Sequence, residues 1–287
     1  MDATKHIWIT GGTSGIGLSL AKHYLQQGHK VALTGLEIEA VSALQSAYPE
    51  QVTYVAWDVS QLADIDLVSA QLQHSLGHLD DVIICAGICE YVSVDGFDAD
   101  AFARVMAVNF QGAINTVAAA LPLLRRCVQM GKQPRPLVTV ISSLSSWVPV
   151  KRAGAYGASK AALRYAIHSI KGELVSEGID VSVIQPGFID TPLMQKLPPL
   201  KGYSMMTVDS AVKRIINAIE RRVTEYCFPK NLYWRLGFVS ILPMNWQLRI
   251  MGGKQKTQNN LVPPPQEHID VVVPEKRSAS VVKVVET

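Results

Sequence analysis

Short apolar runs alternating with longer amphipathic segments constrain this chain more than any other feature. The runs are Ile7-Trp8-Ile9, Val31-Ala32-Leu33, Val52-Thr53-Tyr54-Val55, Val82-Ile83-Ile84, Leu137-Val138-Thr139-Val140-Ile141 and Val181-Ser182-Val183-Ile184. Each is three to five residues long and apolar at both odd and even positions, as strands covered on both faces must be. Between them lie stretches with helical spacing, such as Leu18-Ala21-Leu25 and Leu62-Ile65-Val68-Leu72. Strand and helix in alternation predict an α/β fold, a Rossmann-like, doubly wound parallel sheet with helices on both faces.

The 287 residues are 48% hydrophobic and 18% charged, enough to bury a large core and too oily for wholesale disorder. Four scattered cysteines, Cys85, Cys89, Cys127 and Cys227, exclude a disulfide scaffold. Twenty-seven basic against 24 acidic residues give no nucleic-acid footprint. No signal-like n-region and h-region precede the first strand, and no run of 18 apolar residues occurs, so a cytoplasmic setting is expected. The expected organisation is a catalytic domain over residues 1–227, an apolar and basic C-terminal extension over 228–252, and a tail without a core over 253–287.

Directly after the first strand comes Thr10-Gly11-Gly12-Thr13-Ser14-Gly15-Ile16-Gly17, followed by a helical run. Glycines let the backbone approach a diphosphate, and the helix N-terminus offers free N–H groups and positive dipole. Gly17 suits tight strand–helix packing. Strand before and helix after meet the context that dinucleotide binding requires.

Tyr156-Gly157-Ala158-Ser159-Lys160 places a phenol and an ammonium on one helix face. A phenol is a poor acid–base at neutral pH unless a neighbouring cation stabilises its anion. Ser143 follows a strand at the sheet edge where ligands bind, with Ser142, Ser145 and Ser146 as competitors. Asn109 interrupts an apolar helical stretch and, if buried, needs hydrogen-bond partners.

With Pro186-Gly187-Phe188-Ile189-Asp190-Thr191, these motifs resemble the classical short-chain dehydrogenase/reductase family over roughly residues 5 to 225. The resemblance implies four catalytic residues. Tyr156 would be the general acid–base, Lys160 would lower its pKa and hold the nicotinamide ribose, Ser143 would orient the carbonyl, and Asn109 would support a water relay. It assigns cofactor contact to Gly11, Thr13, Ser14, Gly15, Ile16, Gly17, Asp58, Val59, Ala86, Gly87, Asn109, Tyr156, Lys160, Pro186, Gly187, Ile189 and Thr191, with Asp58 against the adenine. It also implies a homodimer or homotetramer. The implied reaction interconverts a secondary alcohol with a ketone or aldehyde. A non-redox lyase or isomerase of the same fold, and a nucleotide-sensing binding protein, are the rival readings.

Two features depart from the family, and two more bear on the substrate side. Ile84-Cys85-Ala86-Gly87 stands where Asn-Asn-Ala-Gly is usual, and Cys85 and Cys89 read as packed thiols with no metal site around them. After the second strand, Gly35-Leu36-Glu37 offers neither the acid that selects NAD at position 35 nor the Arg that selects NADP at position 36. With Glu37 placed one residue too far along and Ser14 able to bond a phosphate, the expectation leans to NADP(H) over NAD(H). The segment Pro192 to Met206 is methionine-rich, which suits a lipophilic substrate and equally suits ordinary lid packing. Residues Phe228 to Met251 combine tryptophans with Lys230, Arg235 and Arg249 and are too short to span a bilayer. Peripheral membrane contact, a cap on the substrate cleft and a subunit interface all remain open for them.

Overall fold

The computed structural model describes residues 3–195 and 205–252; the expected tail and part of the segment after Pro192 lie outside the described residues. Seven parallel strands form one sheet: β1 (His6–Thr10), β2 (Lys30–Thr34), β3 (Val52–Tyr54), β4 (Asp81–Ile84), β5 (Leu137–Ile141), β6 (Asp180–Pro186) and β7 (Glu225–Phe228). Their spatial order is β3-β2-β1-β4-β5-β6-β7. Winding runs outward in both directions from β1 and β4, which pair at Ile7–Asp81 through Thr10–Ile84. The crevice outside their C-terminal ends is the topological switch point, where such sheets bind ligands.

Period-two alternation explains how each strand feeds two cores. Trp8, Ala32, Val82, Ile84, Val138, Val140 and Val183 face one layer, packed with α3 (Ile65–Leu76), α5 (Gly112–Gln129) and α6 (Gly154–Ser176). Ile7, Ile9, Val31, Leu33, Ile83 and Ile184 face the other, against α1 (Gly15–Gln26) and α8 (Val208–Glu220). Asp98 caps α4 (Ala99–Met106) by accepting from the Ala101 N–H at 3.0 Å. Thr207 caps α8 in the same way through the Ser210 N–H.

The continuous helix Ala99–Gln129 is long and apolar enough to cross a membrane by length and composition, yet 56% of its most apolar window is buried within the protein. It contains a π-helical turn, Ala107–Gln111, that adds a residue to the winding and turns Asn109 inward.

The sequence predicts six strands, and the described residues form seven. β7 pairs with β6 from Val183–Glu225 to Pro186–Phe228, so the boundary expected between residues 227 and 228 falls inside a strand of the sheet. The extension then continues as α9 (Lys230–Ser240) and α10 (Met244–Gly252). Gln247, buried, ties their connection together by donating to the Ser240 and Leu242 carbonyls at 3.1 and 2.8 Å.

Candidate active site

The turn after β1 is shaped by two close approaches. Gly11 has φ +66°, and a Cβ there would lie 2.7 Å from the Ala86 nitrogen. A Cβ on Gly17 would lie 2.0 Å from the Gly11 carbonyl oxygen, so the first turn of α1 can close onto the loop only with glycine. Beside it opens a cleft lined by Gly11, Ser14, Gly15, Ile16, Gly87, Ser143, Tyr156, Lys160, Pro186, Gly187, Ile189 and Thr191. Sequence reasoning missed Cys85, Ile141, Ser142, Pro192, Leu193 and Met194, which complete the same wall as neighbours of expected residues. A backbone cradle at a helix N-terminus, running to a buried lysine, fits a nicotinamide dinucleotide.

Other expected residues do not line this cleft. Val59 is buried against Gly112, and its carbonyl accepts from Asn115 Nδ2 at 2.8 Å, so its side chain serves the core. Gly17 and Ala86 shape the turn rather than line the cleft. The exposed Asp58 carboxylate accepts from the Ser60 N–H and hydroxyl at 3.0 and 2.8 Å, which fixes the loop after β3.

Ser143 is the first residue past the Ser142 that leaves β5, with extended backbone at φ −162°. Its Oγ accepts from the Ser145 N–H at 3.1 Å and the Ser145 hydroxyl at 3.0 Å. With its lone pairs so occupied, the Ser143 proton is left to be donated. Of the competing serines, Ser142 donates to the Lys160 carbonyl and Ser146 turns back on Ser143, so both serve the scaffold.

Tyr156 and Lys160 sit one turn apart on α6, with Lys160 Nζ 5.8 Å from the phenol ring centroid. Lys160 is buried, donates to the Ile141 carbonyl at 2.9 Å, and has its pKa lowered to about 8 by desolvation. Burial pushes the Tyr156 phenol above its ordinary value, while the Ser143 hydrogen bond pulls it the other way. In the free protein desolvation therefore outweighs the expected lowering of Tyr156 by Lys160, and the phenol is held protonated, the form that gives a proton to a carbonyl oxygen. Asn109 is fully buried; its amide exchanges hydrogen bonds with the Ile88 N–H and carbonyl at 2.7 and 2.9 Å and donates to Ser159 Oγ at 3.0 Å. A Cβ on Gly87 would meet Asn109 Oδ1 at 3.2 Å and Lys160 Nζ at 3.5 Å, which places both polar groups around that glycine. Burial raises the Cys85 thiol to about 11 and Cys89 to about 12, in keeping with packed thiols.

At the other end of the turn, Glu37 reaches back to Thr13. The Thr13 hydroxyl donates to its carboxylate, and the Glu37 N–H points back at Thr13 Oγ1. The residues after β2 fold back over the glycine turn, because Gly35 packs directly on Thr13.

A doubly wound sheet with a glycine cradle at its switch point and a Ser–Tyr–Lys cluster beside it defines a nicotinamide-dependent oxidoreductase. The family profile described as short chain dehydrogenase matches residues 5–201. The 11-beta-hydroxysteroid dehydrogenase A of Sesamum indicum is 30% identical over 273 residues, covering 87% of this chain and 76% of its own. The 3-beta-hydroxysteroid dehydrogenase of Comamonas testosteroni is 32% identical over 202 residues, covering 68% and 75%. A short chain dehydrogenase from Burkholderia cenocepacia in complex with NADP superimposes with a TM-score of 0.73 at 20% identity, over 88% of this chain and 98% of that one. The chain belongs to the short-chain dehydrogenase family and is an NAD(P)-dependent oxidoreductase.

Gly11, Ser14, Gly15, Ile16, Ile189 and Thr191 would hold the dinucleotide, whose nicotinamide would supply or accept a hydride. Around it the arrangement would let Ser143 donate to a carbonyl oxygen, Tyr156 exchange a proton with that oxygen and Lys160 place a cation beside the phenol, the roles that the family resemblance implies.

Proposed function

We propose that the protein interconverts a lipophilic secondary alcohol with its ketone or aldehyde. A second, largely apolar cavity carries this reading. Ser143, Ser145 and Tyr156 form its polar end, and Tyr91, Leu144, Val150, Phe188, Met194, Leu232, Leu236 and Met251 line much of the rest. A few convergent polar groups in an apolar wall suit an oily molecule with one reactive oxygen. Two of the relatives are named as hydroxysteroid dehydrogenases, which supports the same class. The intact Ser143, Tyr156 and Lys160 favour redox turnover over a sensor or a lyase.

Burying a methylene is worth about 0.8 kcal/mol, close to fourfold in kcat/KM. With NADH as reductant, 2-decanone is expected to exceed 2-butanone by at least roughly 100-fold in kcat/KM. Equal rates would overturn the lipophilic reading.

The α9–α10 pair has two faces. Leu232, Leu236 and Met251 turn to the cavity, while Trp234, Phe238, Ile241, Met244, Trp246, Leu248 and Ile250 are exposed. Between Glu225 and Glu267 the sequence holds Lys230, Arg235, Arg249, Lys254 and Lys256 and no acid. Apolar bulk with unopposed positive charge suits an anionic lipid surface beside the cavity wall. Co-sedimentation with phosphatidylglycerol-containing vesicles is the expected result, weakened by Trp246→Ser and by salt. A stable dimer that ignores vesicles would assign the face to a second copy instead.

The cofactor preference proposed here reverses the lean toward NADP(H). That lean rested on the missing acid at position 35, on Ser14 as a phosphate partner and on Glu37 lying one residue too far along. A carboxylate bonded to Thr13 favours NAD(H), since a ribose hydroxyl can donate to it and a 2′-phosphate is repelled.

A further inference from the structure

We infer that Gln185 is a positioning residue that keys the Ser143 turn to β7 and α9. The inference rests on the reading of Ser143 as the hydroxyl that orients the carbonyl. Gln185 is fully buried on β6, one residue before Pro186, and its amide is satisfied at both ends. Its Oε1 accepts from Ser146 Oγ at 2.8 Å and from Trp147 Nε1 at 2.9 Å. Its Nε2 donates to Glu225 Oε1 at 2.5 Å. The orientation of the amide is dictated by chemistry, because an indole N–H can only donate and an ionised carboxylate can only accept.

Both groups on the oxygen side belong to the turn that carries Ser143. Ser146 closes that turn, its N–H and hydroxyl lying 3.1 and 2.8 Å from the Ser143 carbonyl oxygen. Trp147, the next residue, is held from two further directions. The Arg164 guanidinium lies 4.5 Å over its ring, and Tyr233 of α9 meets it edge-on at 5.4 Å.

On the nitrogen side, Glu225 is fixed by Arg164 Nε at 2.7 Å and approached by His168 Nε2 at 3.3 Å. Burial would raise the Glu225 carboxyl, but Arg164 and His168 hold it below its ordinary value and keep it an acceptor. Arg164 thus grips both Glu225 and Trp147, and Gln185 bridges the same two. The Ser143 turn has a polar anchor beneath it, and Gln185 and Glu225 line neither cavity. Shifting a reacting group by about 1 Å costs on the order of 100-fold in rate, so a loosened anchor reads out as lost turnover.

A double-mutant cycle over S143A, Q185M and S143A/Q185M tests this, with NADH and 2-decanone as probes and thermal unfolding in parallel. Q185M is expected to lower kcat roughly 10- to 100-fold in the parent and at most about twofold in the S143A background, with the KM for NADH unchanged. Equal losses in both backgrounds would show that Gln185 acts only on stability, and would overturn the inference while leaving Ser143's role intact. An S143A variant as active as the parent would remove the role of Ser143 and the inference with it. Trp147→Phe keeps the ring and deletes only the donor to Oε1, so it serves if Q185M does not fold. Its loss should be smaller, in kcat, and likewise absent in the S143A background; a loss that persists there overturns the inference.

Discussion

Tyr156→Phe is expected to cut ketone reduction by about 10²- to 10⁴-fold, or roughly 3 to 5 kcal/mol of transition-state free energy, while NADH binding changes little. The substitution removes one hydroxyl and no packing, since the ring stays under Lys160 Nζ. Stability should therefore hold, and calorimetric titration with NADH beside steady-state assays separates the two effects. Lys160 adds a pH signature. Its ammonium, lowered to about 8 by desolvation, is present below that pH and lost above it, so reduction by the parent should fall as pH rises through 8. A phenylalanine variant retaining a tenth of parental turnover would remove Tyr156 from the chemistry.

What could be read from the sequence alone was local in the chain. The glycine turn declares itself because strand, loop and helix N-terminus are contiguous, and Tyr156 and Lys160 because four residues make one helical turn. Six strands were legible from runs apolar on both faces. β7 was not, because Glu225-Tyr226-Cys227-Phe228 sits at the sheet edge and begins with the charge that bonds Gln185 and Arg164. Asn109 was legible as a buried polar residue, but its inward turn depends on a π-helical insertion that periodicity does not report.

The residues misjudged or missed are those whose meaning lies across the sheet edge. Gln185 carries no motif in the sequence, and its partners stand 38 to 40 positions away on two different elements. The C-terminal extension admitted three readings because helical spacing does not say which face meets the protein. The fold places Leu232 and Leu236 in the cavity and leaves Trp234 and Phe238 outside. Capping the cleft and meeting a lipid surface are then compatible, being tasks of opposite faces of one helix.

Glu37 is the residue on which cofactor choice is expected to turn. In the parent, NADH should bind on the order of 100-fold more tightly than NADPH. A 2′-phosphate brought within about 4 Å of a carboxylate is opposed by a few kcal/mol at the effective dielectric of a protein surface. Glu37→Gln removes the charge while keeping an acceptor for the Thr13 hydroxyl, so it should recover most of the lost NADPH affinity and cost NADH only a few-fold. Adding Leu36→Arg should go further. Leu36 is 83% exposed, so an arginine there is free to pair with the phosphate, and the double variant should prefer NADPH. Titration of the three proteins with both cofactors decides the matter. Tighter binding of NADPH by the parent would mean that the Glu37 carboxylate leaves Thr13 when the cofactor enters, and the preference would return to NADP(H). A parent that favours NADH, with the order inverted stepwise by the two substitutions, would locate the discrimination at the contact between the glycine turn and the end of β2.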